Sequence, residues 1–442
     1  MFRSTEAELA DELNNRLGTA RRVTNHDRDI TQRDQWSKEN RVEFLVVMMM
    51  VVALFWLVRA ALPLTVGRRA LLILLGAFAV RLLVHVLVIR TDMLGYGGDH
   101  LSYEAWATDI AEYWSVHEFR FVTGNEMSRL HSVAVPCNLF ALVIAFCGGP
   151  APLACTAVVG FIACALCVVL FRAARLVGAD EPAALRLLLI IAFLPSFLFH
   201  TSDTFKDGIN AFLVIFCLYL AISNLYRFGA LKLVLLALAL VALWQVRPYM
   251  VFMCALPLAV GLVRARWAIA VGLAVAGAGL FVLRQLPLEI MQEQLDRGQS
   301  ELVRHANAVG GSGVVFADGG DPWALLGPKL LYTLFSPFPW ADGSLVFQLG
   351  KIDTLVWYAL LALAIVGARR LWRRDPRLLL ILALFLIPAT VAYATTMANV
   401  GLILRQRMPI VMVASLLAAL AWTKLPAGPA VARSERAEAV HE

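Results

Sequence analysis

PLACTAVVGFIACALCVVLF, residues 152–171, runs for twenty positions without a charged side chain. About 20 apolar residues in a helix cross the ~30 Å hydrocarbon core of a bilayer, where the backbone must satisfy its own hydrogen bonds. Comparable runs recur at roughly 42–58, 69–89, 131–148, 183–200, 208–226, 230–246, 249–263, 267–283, 352–368, 378–395 and 408–422. The composition agrees: 60% of residues are hydrophobic, 16% are charged and the mean hydropathy is +0.72. A soluble domain carries about a quarter charged residues, and no soluble core would hide this much apolar surface. The expectation is an all-α, polytopic transmembrane bundle of about 11–12 segments in contact with the lipid bilayer.

Around that domain, 42–422, residues 1–41 form a polar tail of nearly balanced charge, with no cleavable signal peptide expected. Residues 423–442, with Pro426, Pro429 and several charges, read as a disordered tail. The net charge of +7 is no nucleic-acid footprint, because Lys and Arg gather in short loops between apolar runs. All seven cysteines lie in apolar segments; Cys164 and Cys167 make a CxxC spacing inside a run expected to face lipid, without polar partners. Small apolar packing explains them better than redox chemistry. The eight histidines show no HExxH or paired ligand spacing.

Basic residues set the orientation. Arg369, Arg370, Arg373, Arg374 and Arg377 crowd one short loop, placed in the cytoplasm. Counting spans puts Arg264/Arg266, Arg227/Lys232 and Arg172/Arg175 on the same side. Outside remain 201–207, the turn at Arg247, a long loop 284–351, and 396–407. The loop 90–130 holds seven acidic residues against three arginines and is assigned outside, whereas Arg59, Arg68 and Arg69 look internal. These assignments leave one crossing too many. Either 131–148, with Pro136 and Asn138, is re-entrant or interfacial, or every run crosses and 90–130 is cytoplasmic; the external loop is preferred.

Charges beside or within spans are the informative positions, since each costs about 2.5–3.5 kcal/mol at a helix centre. In Gly97–Ala107, Asp99 precedes a helical stretch with Tyr103 one turn on. It reads as a helix N-cap or as a carboxylate held at the membrane face. In Phe193–Gly208, Pro195 perturbs a span end, and Asp203, Lys206 and Asp207 follow within a turn. They read as a self-neutralising pair, or as a phosphate-binding lysine with a carboxylate for base or divalent-cation work. Trp244–Tyr249 contains Arg247–Pro248, which turns Arg247 and Tyr249 to the outer interface. Asn399–Pro409 carries Arg405 and Arg407 on the same outer side. Lys206, Arg247, Arg405 and Arg407 in separate outer loops point to convergence on an anionic ligand, for which arginine forks are suited. In the long loop, Leu288–Ala306 is amphipathic, Gly310–Gly320 is a lid or linker, and 323–335 is expected in the interface with Lys329 snorkelling.

The first-loop aspartate and downstream tyrosine (Asp99, Tyr103) resemble the start of GT-C glycosyltransferases, polytopic enzymes that use polyprenyl-phosphate sugars. The Phe-Leu-Pro-Ser-Phe…Lys-Asp-Gly run, the Arg-Pro-Tyr, the Ser-Pro-Phe-Pro-Trp and the Asn-x-Gly…Arg-Gln-Arg resemble GT-C-like or polymerase-like bacterial membrane proteins of surface-polysaccharide clusters. The likeness covers residues 90 to 410. The chain lacks a clear Asp-Glu pair in the first loop and a large soluble C-terminal domain, so the likeness does not carry protein glycosylation with it.

The resemblance implies a multi-pass transferase of the bacterial inner (cytoplasmic) membrane. It would move sugar from a polyprenyl-phosphate-linked donor at the periplasmic face, for surface polysaccharide or glycolipid, alongside other polysaccharide-assembly proteins. Asp99, Asp203 and Asp207 become its catalytic candidates, Asp99 and Asp203 also candidate contacts of a divalent cation (Mg or Mn). Tyr103, Lys206, Arg247, Tyr249, Trp340, Arg405 and Arg407 become its substrate-binding set. The alternatives are a polymerase joining lipid-linked repeat units, and a flippase or transporter of lipid-linked saccharide. The last would want charges near the midplane, where Arg81 is the obvious one.

Overall fold

The computed structural model describes residues 41–91, 93, 99–248, 250, 251, 253, 254, 257, 323, 325–341, 345–395 and 400–424. Among them all regular structure is helical, as the apolar pattern requires. In chain order the helices are α1 (Arg41–Ala61), α2 (Leu64–Val84, continued by a π-turn His85–Ile89), α3 (Asp99–Val116), α4 (Ala134–Cys147) and α5 (Pro152–Val177). Then come α6 (Glu181–Ala192), α7 (Pro195–Phe199), α8 (Asp207–Tyr226) and α9 (Ala230–Trp244). The last are α10 (Leu326–Phe335), α11 (Leu345–Arg374), α12 (Pro376–Thr395), α13 (Val400–Gln406) and α14 (Met408–Trp422).

Six of these, α1, α2 with its π-turn, α5, α8, α11 and α12, are long and apolar enough to cross a membrane, while α4, α9 and α14 are shorter apolar helices. The protein is therefore a multi-pass membrane bundle. The tails 1–40 and 425–442, residues 284–322, the run 267–283 and most of the run 249–263 lie outside the described residues.

The 152–171 run sits at the centre of the bundle. The apolar window of α5 is 78% buried in protein, against 17% for α1, whose Phe44, Met48, Val52 and Trp56 are exposed on the outer surface. Cys164 and Cys167 are each 1% exposed, so the expectation of a lipid-facing CxxC is corrected to interior packing. The physical reason is composition: alanine, glycine and cysteine let neighbouring helices approach closely. Gly367 shows the same device between α11 and α14. A Cβ there would lie 1.7 Å from the carbonyl oxygen of Leu417, which is backbone and cannot rotate away. Gly367→Ala should push the two helices apart and cost at least about 1–3 kcal/mol, as overpacking does. A thermal unfolding scan in detergent checks it; an unchanged midpoint would mean that the contact is looser than it stands.

Contacts sort the helix termini into two ends. At one end Arg374 Nη1 donates to Gly178 O (3.2 Å), Arg370 Nη1 to Leu420 O (2.8 Å) and Tyr226 Oη to Asp375 Oδ2 (3.5 Å), while Thr65 Oγ1 meets Glu181 (3.4 Å). Gly178, at φ 107°, ends α5 in the left-handed conformation and presents that carbonyl. At the other end Ala154 N donates to Glu43 (3.1 Å), His85 Nδ1 meets Thr156 Oγ1 (3.1 Å), Lys206 Nζ donates to Ser132 O (3.1 Å) and Arg247 reaches Asp207 (2.6 Å). The basic 369–377 loop and the acidic 99–130 region thus occupy opposite ends.

Both flanks of α4 lie at the acidic end, with Ser132 before it and the start of α5 after it. Its 14 residues rise only about 21 Å, short of the ~30 Å core. This matches the re-entrant or interfacial option for 131–148. Single cysteines at the exposed positions Ser115 and Arg373, in a cysteine-free background, should react with an impermeant thiol reagent at Ser115 and not at Arg373 in intact cells. Equal labelling would refute the arrangement.

Two expectations change. The run 183–200 is not one helix: α6 stops at Ala192 and α7 restarts at Pro195, whose ring suits a first helical position and removes a donor that a continuous helix would need. Lys329, expected to snorkel from an interfacial segment, is fully buried (0% exposed), with Thr333 one turn on at 1%. The Lys329 side of α10 faces protein, packed against α12 and α13.

Candidate functional site

Between α7 and α8 the chain is irregular, yet Thr201, Ser202, Asp203, Thr204 and Phe205 are all 0% exposed. Non-helical backbone inside a membrane bundle is tolerated only where protein or a cavity satisfies it, so this is where the fold departs from plain spanning. Local bonds hold it: Thr201 Oγ1 meets Phe197 O (2.6 Å) and Ser202 Oγ donates to Leu198 O (2.6 Å). Arg81 clamps the break from α2. Its Nε donates to Thr201 Oγ1 (2.8 Å), its Nη1 to Ala77 O (2.9 Å) and Ala192 O (3.2 Å), and its guanidinium lies over Phe197. Gly208 lets α8 begin against this segment, since a Cβ there would come 2.5 Å from Thr201 Cγ2.

Four of the residues singled out from the sequence meet here as one chain of charges. Asp207, the first residue of α8, accepts from Arg247 Nη2 at Oδ1 (2.6 Å) and from Arg405 Nε at Oδ2 (2.9 Å). Arg405 also donates from Nη1 to Asp99 Oδ2 (2.7 Å). Phe205 lies under the Arg405 guanidinium at 5.1 Å. The two carboxylates differ in setting: the Asp207 side chain is 1% exposed and that of Asp99 53%.

Lys206, the residue before α8, donates from Nζ to Ser132 O (3.1 Å). Burial, reinforced by Arg247, pushes its ammonium down to about 8. Tyr103, packed on Trp106 and 7% exposed, has its phenol pushed up by burial and then by Asp99 and Asp207, so it stays a neutral donor.

Asp203 belongs to a neighbouring network. It lies 3.5 Å from His85 Nδ1 and 3.7 Å from His100 Nδ1. Thr204 Oγ1 bonds His100 O (3.4 Å) and Glu104 Oε1 (3.3 Å), and Arg90 Nη2 grips Glu104 at 2.6 Å. Arg90 Nε, which can only donate, meets His85 Nε2 at 3.3 Å. His85 therefore carries its proton on Nδ1, toward Thr156 and Asp203. The network docks the first turn of α3, and with it Asp99, onto the 200–206 segment. Burial raises the Glu104 carboxyl against the pull of Arg90.

The remaining candidates stand apart. Arg407, 1% exposed, donates to Ser336 O (2.9 Å), pairs with Asp353 (3.6 Å) and lies over Trp357. Asp353 in turn accepts from Ser196 N (3.0 Å). Arg407 thus fastens α10, α11 and α7 together, and its expected outward, ligand-facing role is corrected. Trp340 is 78% exposed and stacks on Phe338. Tyr249 lies outside the described residues. Asp99 and Asp203, each a candidate contact of a divalent cation, face different partners, Arg405 for the one and His85 and His100 for the other. Among the described residues no group of three or more His, Cys, Asp or Glu side chains is placed to hold a metal ion.

Sequence reasoning passed over His85, Glu104 and Asp353. Asp353 carried a usable signal, an acid inside an apolar run; His85 and Glu104 did not, because their partners come from distant segments. Compared with family models, curated proteins and solved structures, the chain gives no match.

Proposed function

We propose that this bundle is a glycosyltransferase that takes sugar from a polyprenyl-phosphate-linked donor at the outer face of the bacterial inner membrane. One observation carries the proposal. Arg247 and Arg405, from separate segments, converge on Asp207 at the end of the bundle opposite the basic loop, and Lys206, next to Asp207 in the chain, donates to Ser132 O at the same end. Two arginines from separate segments share the buried Asp207 carboxylate, and Arg405 reaches on to the exposed Asp99, so their guanidinium groups stand where a lipid phosphate headgroup would sit, and arginine forks suit its oxygens.

In this reaction the acceptor hydroxyl attacks the anomeric carbon and gives its proton to Asp99. The bond from that carbon to the phosphate oxygen breaks, and the electron pair leaves on the phosphate. Arg247, Arg405 and Lys206 stabilise that growing charge. Asp207 positions the two arginines and is not a base, because both its oxygens are engaged. A polymerase joining lipid-linked repeat units would use the same site. Arg81, the in-span charge a transporter would want, is instead bound to Thr201, Ala77 and Ala192 as a clamp.

The test is mass spectrometry of lipids that co-purify with the protein in nanodiscs. A polyprenyl-phosphate lipid should accompany the wild type and be lost from Arg247→Ala and Arg405→Ala. Phospholipid alone in every sample would remove the proposal.

The lysine adds a pH signature. With Lys206 near 8 in the folded protein and a free lysine near ~10.4, the native state sheds this proton first as pH rises. Between those values the unfolded state holds more protons, so stability rises with pH while the cation, and with it phosphate affinity, is lost. Polyprenyl-phosphate binding should therefore weaken above about pH 8, and Lys206→Met should bind more weakly at pH 7 and lack that step. A wild-type step unchanged in Lys206→Met would assign it elsewhere.

A further inference from the structure

We infer that Asp99 is a stand-in for the substrate: on Arg405 its carboxylate holds the place of a phosphate oxygen, and the arriving lipid phosphate displaces it. This rests on the phosphate assignment above and adds to it a latch that keeps the base paired until the donor is bound.

Arg405 divides one guanidinium between two aspartates, Nε to Asp207 at 2.9 Å and Nη1 to Asp99 at 2.7 Å. The two bonds are unlike. Asp207 is 1% exposed and carries Arg247 on its other oxygen, so breaking it away would strand buried charges. The Asp99 side chain is 53% exposed, and an exposed ion pair adds little and is readily exchanged. An incoming anion therefore replaces Asp99 and leaves Asp207 in place. The exchange is of like for like, since carboxylate and phosphate oxygens accept the same guanidinium donors.

Asp99 reaches Arg405 from α3, whose first turn is docked separately through His100, Glu104 and Thr204, so the side chain can let go without undoing that docking. Once released, Asp99 is an accessible carboxylate beside the bound phosphate, and the proton acceptor becomes available only when there is a donor to use it. Asp99 thus acts twice, first as a competitor of the ligand and then as its base.

The consequence has an unusual sign: removing the charge of a catalytic residue should tighten ligand binding. Full-length protein in nanodiscs would be titrated with polyprenyl phosphate in the bilayer and, separately, with inorganic phosphate in solution. Asp99→Asn, which keeps the size of the side chain and removes its charge, should bind polyprenyl phosphate about two- to fivefold more tightly than wild type, the range an exposed ion pair spans.

Asp109→Asn is the control. It removes the same charge from the same helix, at a carboxylate paired with Arg129 (2.6 Å) and not with Arg405, and should leave affinity unchanged. Equal tightening in Asp109→Asn would reduce the effect to net charge and overturn the latch. Unchanged or weaker binding in Asp99→Asn, with Arg405→Ala still losing the ligand, overturns the latch and leaves the phosphate assignment standing. Tightening for inorganic phosphate alone overturns the lipid source, and no binding of either probe to wild type overturns both.

Discussion

Arg405→Ala should reduce glycan product by a hundredfold or more while the protein still accumulates in the membrane. The guanidinium joins Asp207 to Asp99 and lies over Phe205, so it links the buried and the exposed halves of the site. A preorganised donor aimed at developing charge is worth about 2.7–4 kcal/mol in the transition state, which is the source of that factor. Its loss leaves Asp207 with Arg247 at 2.6 Å, so the buried carboxylate keeps a counter-charge and the fold should survive. Arg405→Lys should restore only a small part of the activity, because an ammonium cannot serve Asp207 and a phosphate with one planar fork. Product measured in cells, against protein quantified in the same membranes, decides it. Full activity in Arg405→Ala would make this arginine a packing residue and would leave Arg247 and Lys206 as the phosphate ligands.

Asp207→Asn should behave in the opposite way, losing the fold before the chemistry can be asked about. The side chain is 1% exposed and holds two arginines, one per oxygen. An amide is neutral and offers one acceptor in place of two, so both guanidinium groups are left short of charge in a buried setting. Breaking one side of such a pair costs about 3–5 kcal/mol. A drop of several degrees in the unfolding midpoint, with little protein in the membrane, is the expected result. Asp99→Asn at the other end of the same chain of charges should keep the wild-type midpoint, as its carboxylate is more than half exposed, and should still lose product. The comparison separates a positioning carboxylate from one that meets the proton. Were Asp207→Asn to fold normally and only lose activity, Asp207 would return as a catalytic candidate. Were Asp99→Asn to make normal product, the base would lie elsewhere.

The amino-acid sequence determined that this chain is a helical membrane bundle, because composition and twenty-residue apolar runs act through the backbone and need no tertiary partner. It also placed Lys206, Asp207, Arg247 and Arg405 on one side and preferred that side for Asp99, since charge bias and span counting are properties of linear order. What it could not supply is which charge answers which. Asp203 and Asp207 lie four residues apart, yet one faces two histidines and the other two arginines. Arg405 and Arg407 lie two apart, yet one reaches Asp99 and the other fastens Ser336 and Asp353. Near neighbours in the chain point in different directions, and their partners lie 40 to 306 positions away. Ion-pair energy depends on distance and burial, and both are set only when the helices pack. The end of the bundle at which charge gathers was therefore written in the sequence, while the division of that charge between a buried anchor and an exposed latch was decided by the tertiary structure.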